Sequence, residues 1–138
     1  HWNMERSWGV EPQPFEAALD REMRDLIGRP GFYAKSGSFL SRGFYAQQLE
    51  RLFALFPREQ VLVLRSDWLR NDPARTIGRV LAFLEVGPMG PTEGIEAHVR
   101  RYPEPLDPGT GARLAGFFEP EIRRLEALLG WDLSDWRR

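Results

Sequence analysis

The 138-residue chain has no cysteine and a single lysine, Lys35. Without cysteine there are no disulfides, thiolate nucleophiles or cysteine-based metal sites, and the composition leans towards a reducing compartment. No apolar run approaches the roughly 20 residues needed to cross a bilayer. Charge of one sign is not in excess either. A formal net charge of −1 gives no overall electrostatic case for a nucleic acid or an anionic membrane as partner. The two histidines, His1 and His98, lie far apart in sequence and no H-E-x-x-H pattern occurs, so neither a metal site nor a Ser-His-Asp arrangement is expected. Residues 2–24 are densely charged, unlike the apolar stretch of a secretory signal. The expected location is the cytoplasm.

What is present suffices for a globular protein. Hydrophobic residues make up 42% and aromatics 12%, which excludes a disordered polymer. The length suits a single domain over residues 1–138 with a modest core. Basic residues are eighteen arginines to the one lysine. Selection for bidentate phosphate contacts produces that bias, and so does codon usage.

Residues 41–86 read as helix, strand, helix. Leu40, Phe44, Leu49, Leu52, Phe53 and Phe56 recur at helical spacing, opposite Gln47, Gln48, Glu50 and Arg51, and Pro57 stops the helix. The continuous run at 61–64, Val-Leu-Val-Leu, predicts a strand buried on both faces. Asp72 is placed to cap the next helix with Pro73 at its first position, and Ile77, Val80, Leu81 and Leu84 mark its buried stripe. A buried strand between two amphipathic helices predicts an α/β fold.

Elsewhere, Phe15, Ala18, Leu19, Met23, Leu26 and Ile27 give an amphipathic helix ended by Gly28 and Pro30. The Gly-rich loop after it carries Phe32, Tyr33 and Phe39, which serve either as anchors onto the core or as walls of a cleft. Residues 87–108 hold many glycines and prolines over a length well beyond the usual connection of about 4–6 residues. Leu114, Phe117 and Phe118 predict a short helix; Pro120 opens a last one, with Ile122, Leu125, Leu128 and Leu129 as its stripe and Gly130 just past its end.

Within the irregular 87–108 stretch, Arg100 and Arg101 are the strongest chemical candidates, because adjacent guanidiniums in a non-helical loop can grip one anion bidentately. Two solvated surface arginines are the plain alternative. Ser41 precedes a helix N-terminus, where unpartnered N–H groups attract anions or polar groups; simple capping by Ser41 is the competing explanation. Tyr45 flanks the apolar stripe. Trp68, Trp131 and Trp136 read as structural.

In their order and spacing, several of these segments resemble the C-terminal half of sulfotransferases that use 3'-phosphoadenosine 5'-phosphosulfate (PAPS), heparan-sulfate-type and bacterial members in particular. The matching residues are Gly43-Phe44-Tyr45 with Leu49 and Leu52, Phe56-Pro57 with Gln60-Val61-Leu62-Val63-Leu64, Asp67-Trp68-Leu69 with Asp72-Pro73, and Phe83-Leu84-Glu85-Val86. The tail 114–136 resembles that family's closing pattern, and residues 1–19 resemble the family's segment just C-terminal to its R-x-x-S motif. The resemblance implies a P-loop-NTPase-like α/β sulfotransferase fold, here its helix-rich C-terminal part with one clear buried strand. It also implies transfer of a sulfonate from PAPS to an acceptor hydroxyl or amine, leaving adenosine 3',5'-bisphosphate. Arg100, Arg101 and Tyr102 fall where the family grips the 3'-phosphate, although His98 and Val99 stand where it has Lys and Gly. Ser41 falls beside the nucleotide or acceptor, and Trp2, Tyr33 and Tyr45 would line the acceptor cleft.

Neither K-x-G-T-T nor G-x-x-x-x-G-K-[ST] occurs, so the loop holding the 5'-phosphate, R-x-x-S and the catalytic base are expected upstream. No catalytic residue is assigned within the chain, and the chain alone is expected to be inactive. Its expected partners are a small-molecule or carbohydrate acceptor and the upstream part of the same enzyme. The alternatives are another P-loop transferase, such as a small-molecule kinase, and a non-catalytic helical interaction module.

Overall fold

A computed structural model of the chain describes residues 9, 12–27, 38–90 and 105–137. Their regular structure is helical: α1 (Phe15–Ile27), α2 (Tyr45–Leu55), α3 (Ser66–Asn71), α4 (Pro73–Phe83) and α5 (Pro108–Leu129), with 3₁₀ turns at Ser41–Gly43, Arg58–Gln60 and Ser134–Arg137. The described residues fall into two compact units, one from His1–Arg51 with Pro105–Arg138 and one from Leu52–Glu104.

This overturns the expected α/β, P-loop-NTPase-like fold. No strand occurs among the described residues, and 61–64 is a connector. Its backbone is extended at Val61 (φ −121°, ψ 107°) and again at Arg65 (φ −83°, ψ 139°). Extended dihedrals become a strand only when a neighbour completes the ladder of hydrogen bonds, and none does. Leu62 is 37% exposed, so the run is not buried on both faces. The Val61 carbonyl accepts from the Arg58 guanidinium at 2.7 Å instead of from a neighbouring strand.

In the first unit, two patches of core meet along α5. Ala46, Ile122, Leu125 and Leu133 are buried together, with Leu49, Leu129 and Trp131 packed around them. Leu19, Leu26 and Leu40 form the second patch with Phe15, Phe44, Leu114 and Phe117, and Phe118 touches both. Pro120 does not open a helix as the sequence suggested; it sits inside α5. Proline removes one backbone bond and crowds the carbonyl four residues back. The apolar stripe Leu114, Phe117, Phe118, Ile122, Leu125 keeps one helical register through that point, and its burial on both sides outweighs the local cost. Asp107 caps α5 by accepting from Thr110 N–H at 2.8 Å. Gly130 ends it in the left-handed region (φ 67°), which glycine reaches without a Cβ penalty.

In the second unit, α3 packs on α4. Asp72 accepts from Arg75 N–H at 3.0 Å with Pro73 in the first turn, as the sequence indicated. Thr76 closes the same turn by donating its hydroxyl to the Asp72 carbonyl at 2.8 Å. The Arg79 guanidinium lies over the Trp68 ring, 4.9 Å from its centroid, a cation–π contact.

Candidate functional site

Of the residues that the sequence nominated, Ser41 and Tyr45 are described. Trp2, Tyr33, Arg100, Arg101 and Tyr102 lie outside the described residues. Ser41 opens the 3₁₀ turn that leads into α2. Three successive backbone N–H groups at this turn converge on one carboxylate: Phe39 and Leu40 donate to Glu22 Oε2 at 2.6 and 2.8 Å, and Ser41 donates to Glu22 Oε1 at 2.9 Å. A run of amides focused on one point is a backbone anion site. Here α1 fills it with its own side chain.

The start of α2 repeats the arrangement. Ala46 N–H donates to Glu121 Oε1 at 2.7 Å and Gln47 N–H to the same oxygen at 3.3 Å. A carboxylate at a helix N-terminus answers both the unpartnered amides and the helix dipole. Glu22 is 6% exposed and Glu121 8%, so both charges are withdrawn from water, and hydrogen bonding to backbone amides is what makes that tolerable. The sequence reading missed both, although a signal existed. Glu22 lies on the stripe of Ala18, Leu19 and Leu26, and Glu121 on that of Phe117, Phe118 and Leu125. An acidic residue in register with a buried stripe marks a carboxylate with work inside the fold.

Between the two clamped ends, Gly43 lies close under a ring: a Cβ there would stand 2.8 Å from Phe118 Cε1, so the ring would have to shift to admit it. Phe44 then packs edge-on to Phe117 (5.9 Å between centroids) and tilted against Phe118 (5.7 Å). The Arg42 side chain donates through Nε to the Ser38 carbonyl at 2.9 Å. Ser41 itself does not cap the turn with its side chain. Among the described residues, its Oγ is a buried side-chain oxygen with no hydrogen-bond partner. Tyr45 is 48% exposed and its ring meets that of Trp136 at 6.1 Å, edge to face, which ties the first turn of α2 to the C-terminal 3₁₀ turn. That C-terminal turn is secured by Glu126, which accepts from Leu133 N–H at 2.8 Å and from Arg137 at 2.7 Å. The Leu133 amide, and then the Arg137 guanidinium, hold the Glu126 carboxyl below its usual range.

The described residues therefore offer no free amide cradle to a phosphate at this turn, because Glu22 and Glu121 occupy it. In the second unit, a groove of about 440 Å³ runs along α4, walled by Ile77, Leu81, Val86 and Met89 with glycine, alanine and proline between them. It has no charged side chain and does not suit an anionic nucleotide. Among the described residues, no group of three acidic or histidine side chains is arranged to hold a metal, and no helix is long and apolar enough to cross a membrane.

The chain is similar over part of its length to a sulfotransferase. It is 28% identical over 122 residues to the bifunctional heparan sulfate N-deacetylase/N-sulfotransferase 4 of Mus musculus, an alignment that covers 70% of this chain and 14% of that protein. No protein-family profile matches the chain, and no solved structure does. At this identity, the similarity supports a sulfotransferase relationship and no finer assignment.

Proposed function

We propose that this chain is part of a PAPS-dependent sulfotransferase that moves a sulfonate group to a hydroxyl or amine of a small-molecule or carbohydrate acceptor. The observation that carries the reading is the partial similarity to the mouse N-deacetylase/N-sulfotransferase, which agrees with the order of motifs over residues 43–86. The reading does not rest on a sheet. PAPS would supply the activated sulfonate. On this reading Arg100, Arg101 and Tyr102 hold its 3'-phosphate, a dianion that guanidiniums bind in bidentate fashion. The Ser41 turn contributes shape beside the nucleotide and not a phosphate contact, since its amides are committed to Glu22. Trp2, Tyr33 and Tyr45 belong to the acceptor side. The base and the 5'-phosphate contacts are assigned to sequence beyond the motifs found here.

The test is calorimetric titration of adenosine 3',5'-bisphosphate and adenosine 5'-phosphate into wild type and Arg100→Ala, in the longest form of the protein. A charge-assisted contact is worth about 1.5–3 kcal/mol, so the variant should lose about 10- to 150-fold in affinity for the bisphosphate and almost nothing for the monophosphate. Equal losses for both would make Arg100 a generally basic surface residue. A second reading, a helical interaction module without catalysis, is favoured by the exposed apolar side chains of the second unit, Leu55, Leu84 and Met89 among them. Failure of wild type to bind either nucleotide would select it.

A further inference from the structure

Residues 39–47 are held at both ends by charge supplied from elsewhere in the chain. Five backbone N–H groups in this short segment donate to two carboxylates: those of Phe39, Leu40 and Ser41 to Glu22, and those of Ala46 and Gln47 to Glu121. Glu22 comes from α1, seventeen to nineteen positions away, and Glu121 from α5, about seventy-five positions away. Both lie among buried side chains. The segment's own backbone bonds are few and local: Gly43 N–H to the Leu40 carbonyl at 2.8 Å, and Phe44 N–H to the Ser41 carbonyl at a long 3.4 Å. A three-residue 3₁₀ turn with such bonds is weak by itself.

We propose that Glu22 and Glu121 are positioning residues, a pair of carboxylate clamps that fix the shape of the turn at Ser41 and the start of α2. Their effect is local, on the turn, and does not extend to the fold as a whole. The functional consequence rests on the reading of Ser41 as part of the nucleotide site; the mechanical claim does not. Carboxylate is the group that suits the task. Ionised, it only accepts, and its two oxygens can take several amides at once. Glutamine has nearly the same shape but a single acceptor oxygen. At position 22, where both oxygens are used, its NH₂ would face a backbone donor. At position 121, where Oε1 takes both amides, it would keep that acceptor and remove only the charge.

Glu22→Gln and Glu121→Gln in the full chain test the clamp by residue-resolved amide hydrogen exchange. In Glu22→Gln, the Phe39, Leu40 and Ser41 amides should exchange at least about tenfold faster, while those of Ile122 and Leu125 within α5 keep their wild-type rates. In Glu121→Gln, which keeps one acceptor oxygen and loses the charge, a smaller acceleration should appear at Ala46 and Gln47. Unchanged protection at these amides would show that the turn holds itself. Acceleration of every amide together, or failure of the variants to fold, would show that the carboxylates serve the whole fold; either outcome overturns the proposal. Adenosine 3',5'-bisphosphate titration then separates the two claims. If wild type does not bind it, the functional reading fails while exchange still decides the clamp. If wild type binds and the loosened variants bind equally well, the turn plays no part in nucleotide binding.

Discussion

In the unit formed by His1–Arg51 and Pro105–Arg138, Leu19, Leu26, Leu40, Ile122, Leu125 and Leu133 are all buried. In Leu52–Glu104, no described apolar side chain is buried to that degree, and Leu55, Leu69, Leu84 and Met89 are each half exposed or more. The sequence makes both from similar amphipathic stripes, so the contrast lies in packing and not in composition. One unit draws its cohesion from area removed from water, at roughly 25 cal/mol per Å². The other is held by caps, by the Arg79–Trp68 contact and by half-covered side chains. An amphipathic pattern predicts which face a helix would bury. It does not say whether a second surface within reach completes the burial.

Truncating one leucine in each unit gives the largest expected effect and would break the comparison most directly. Leu125, 4% exposed within a shared core, should cost about 2–5 kcal/mol as Leu125→Ala, the range for a large-to-small change that leaves a cavity. Leu69, 50% exposed on α3, should cost no more than about 0.5 kcal/mol as Leu69→Ala. Urea unfolding of the three proteins measures both. Similar losses in the two variants would mean that Leu69 is covered in solution and that the units do not differ as described.

How far this contrast was legible in the sequence depends on which interactions are local. The Asp72-Pro73 start of α4, the Gly130 end of α5 and the extent of α1 were readable, because caps and breakers act within a turn of themselves. The strand at 61–64 was misread: a short apolar run specifies extended backbone at most, and its promotion to a strand needs a partner that no local pattern encodes. Pro120 misled for the converse reason, since the packing of Phe118 and Ile122 on either side overrides a local helix breaker. In the site, Gly43 and Phe44 were named within a motif and an apolar stripe, whereas Glu22 and Glu121 were not singled out despite their register with buried stripes.

A smaller effect sharpens the comparison, because the units share one device. Asp72 and Asp107 each accept from the backbone N–H three residues on, at 3.0 and 2.8 Å, and each precedes a proline. Removing either cap should cost the helix about 1 kcal/mol. In Asp107→Ala, the loss should appear in the cooperative unfolding of the cored unit. In Asp72→Ala, with little tertiary burial to couple it, the loss should appear as local fraying of α4, visible as faster exchange of the Arg75 and Thr76 amides with an unchanged unfolding midpoint. A matching shift of the midpoint in both variants would show that α4 unfolds together with the core.

The smallest effect concerns acid. Glu126 of the cored unit accepts from Leu133 N–H and from Arg137, which lowers its pKa in the folded state. Asp67 of the other unit is lowered too, chiefly by its hydrogen bond from Arg65 two residues before it. In both cases the folded carboxyl holds its proton less tightly than the unfolded one. The contribution to stability is therefore complete above the unfolded pKa, about 4.3 for glutamate and 3.9 for aspartate, and is lost as pH falls through the lower folded value. What differs is the consequence of the loss. Protonating Asp67 releases a contact between near neighbours, whereas protonating Glu126 unties Leu133 and the Ser134–Arg137 turn from α5. The Leu133 amide resonance should then titrate with a midpoint below about 4.3 in wild type and stay flat in Glu126→Gln. The Trp68 amide, which donates to Asp67 at 3.1 Å, should follow its own carboxylate in both proteins. A Leu133 midpoint at or above the unperturbed glutamate value would mean that the backbone amide does not stabilise the carboxylate, and that the C-terminal turn is held by its apolar contacts alone.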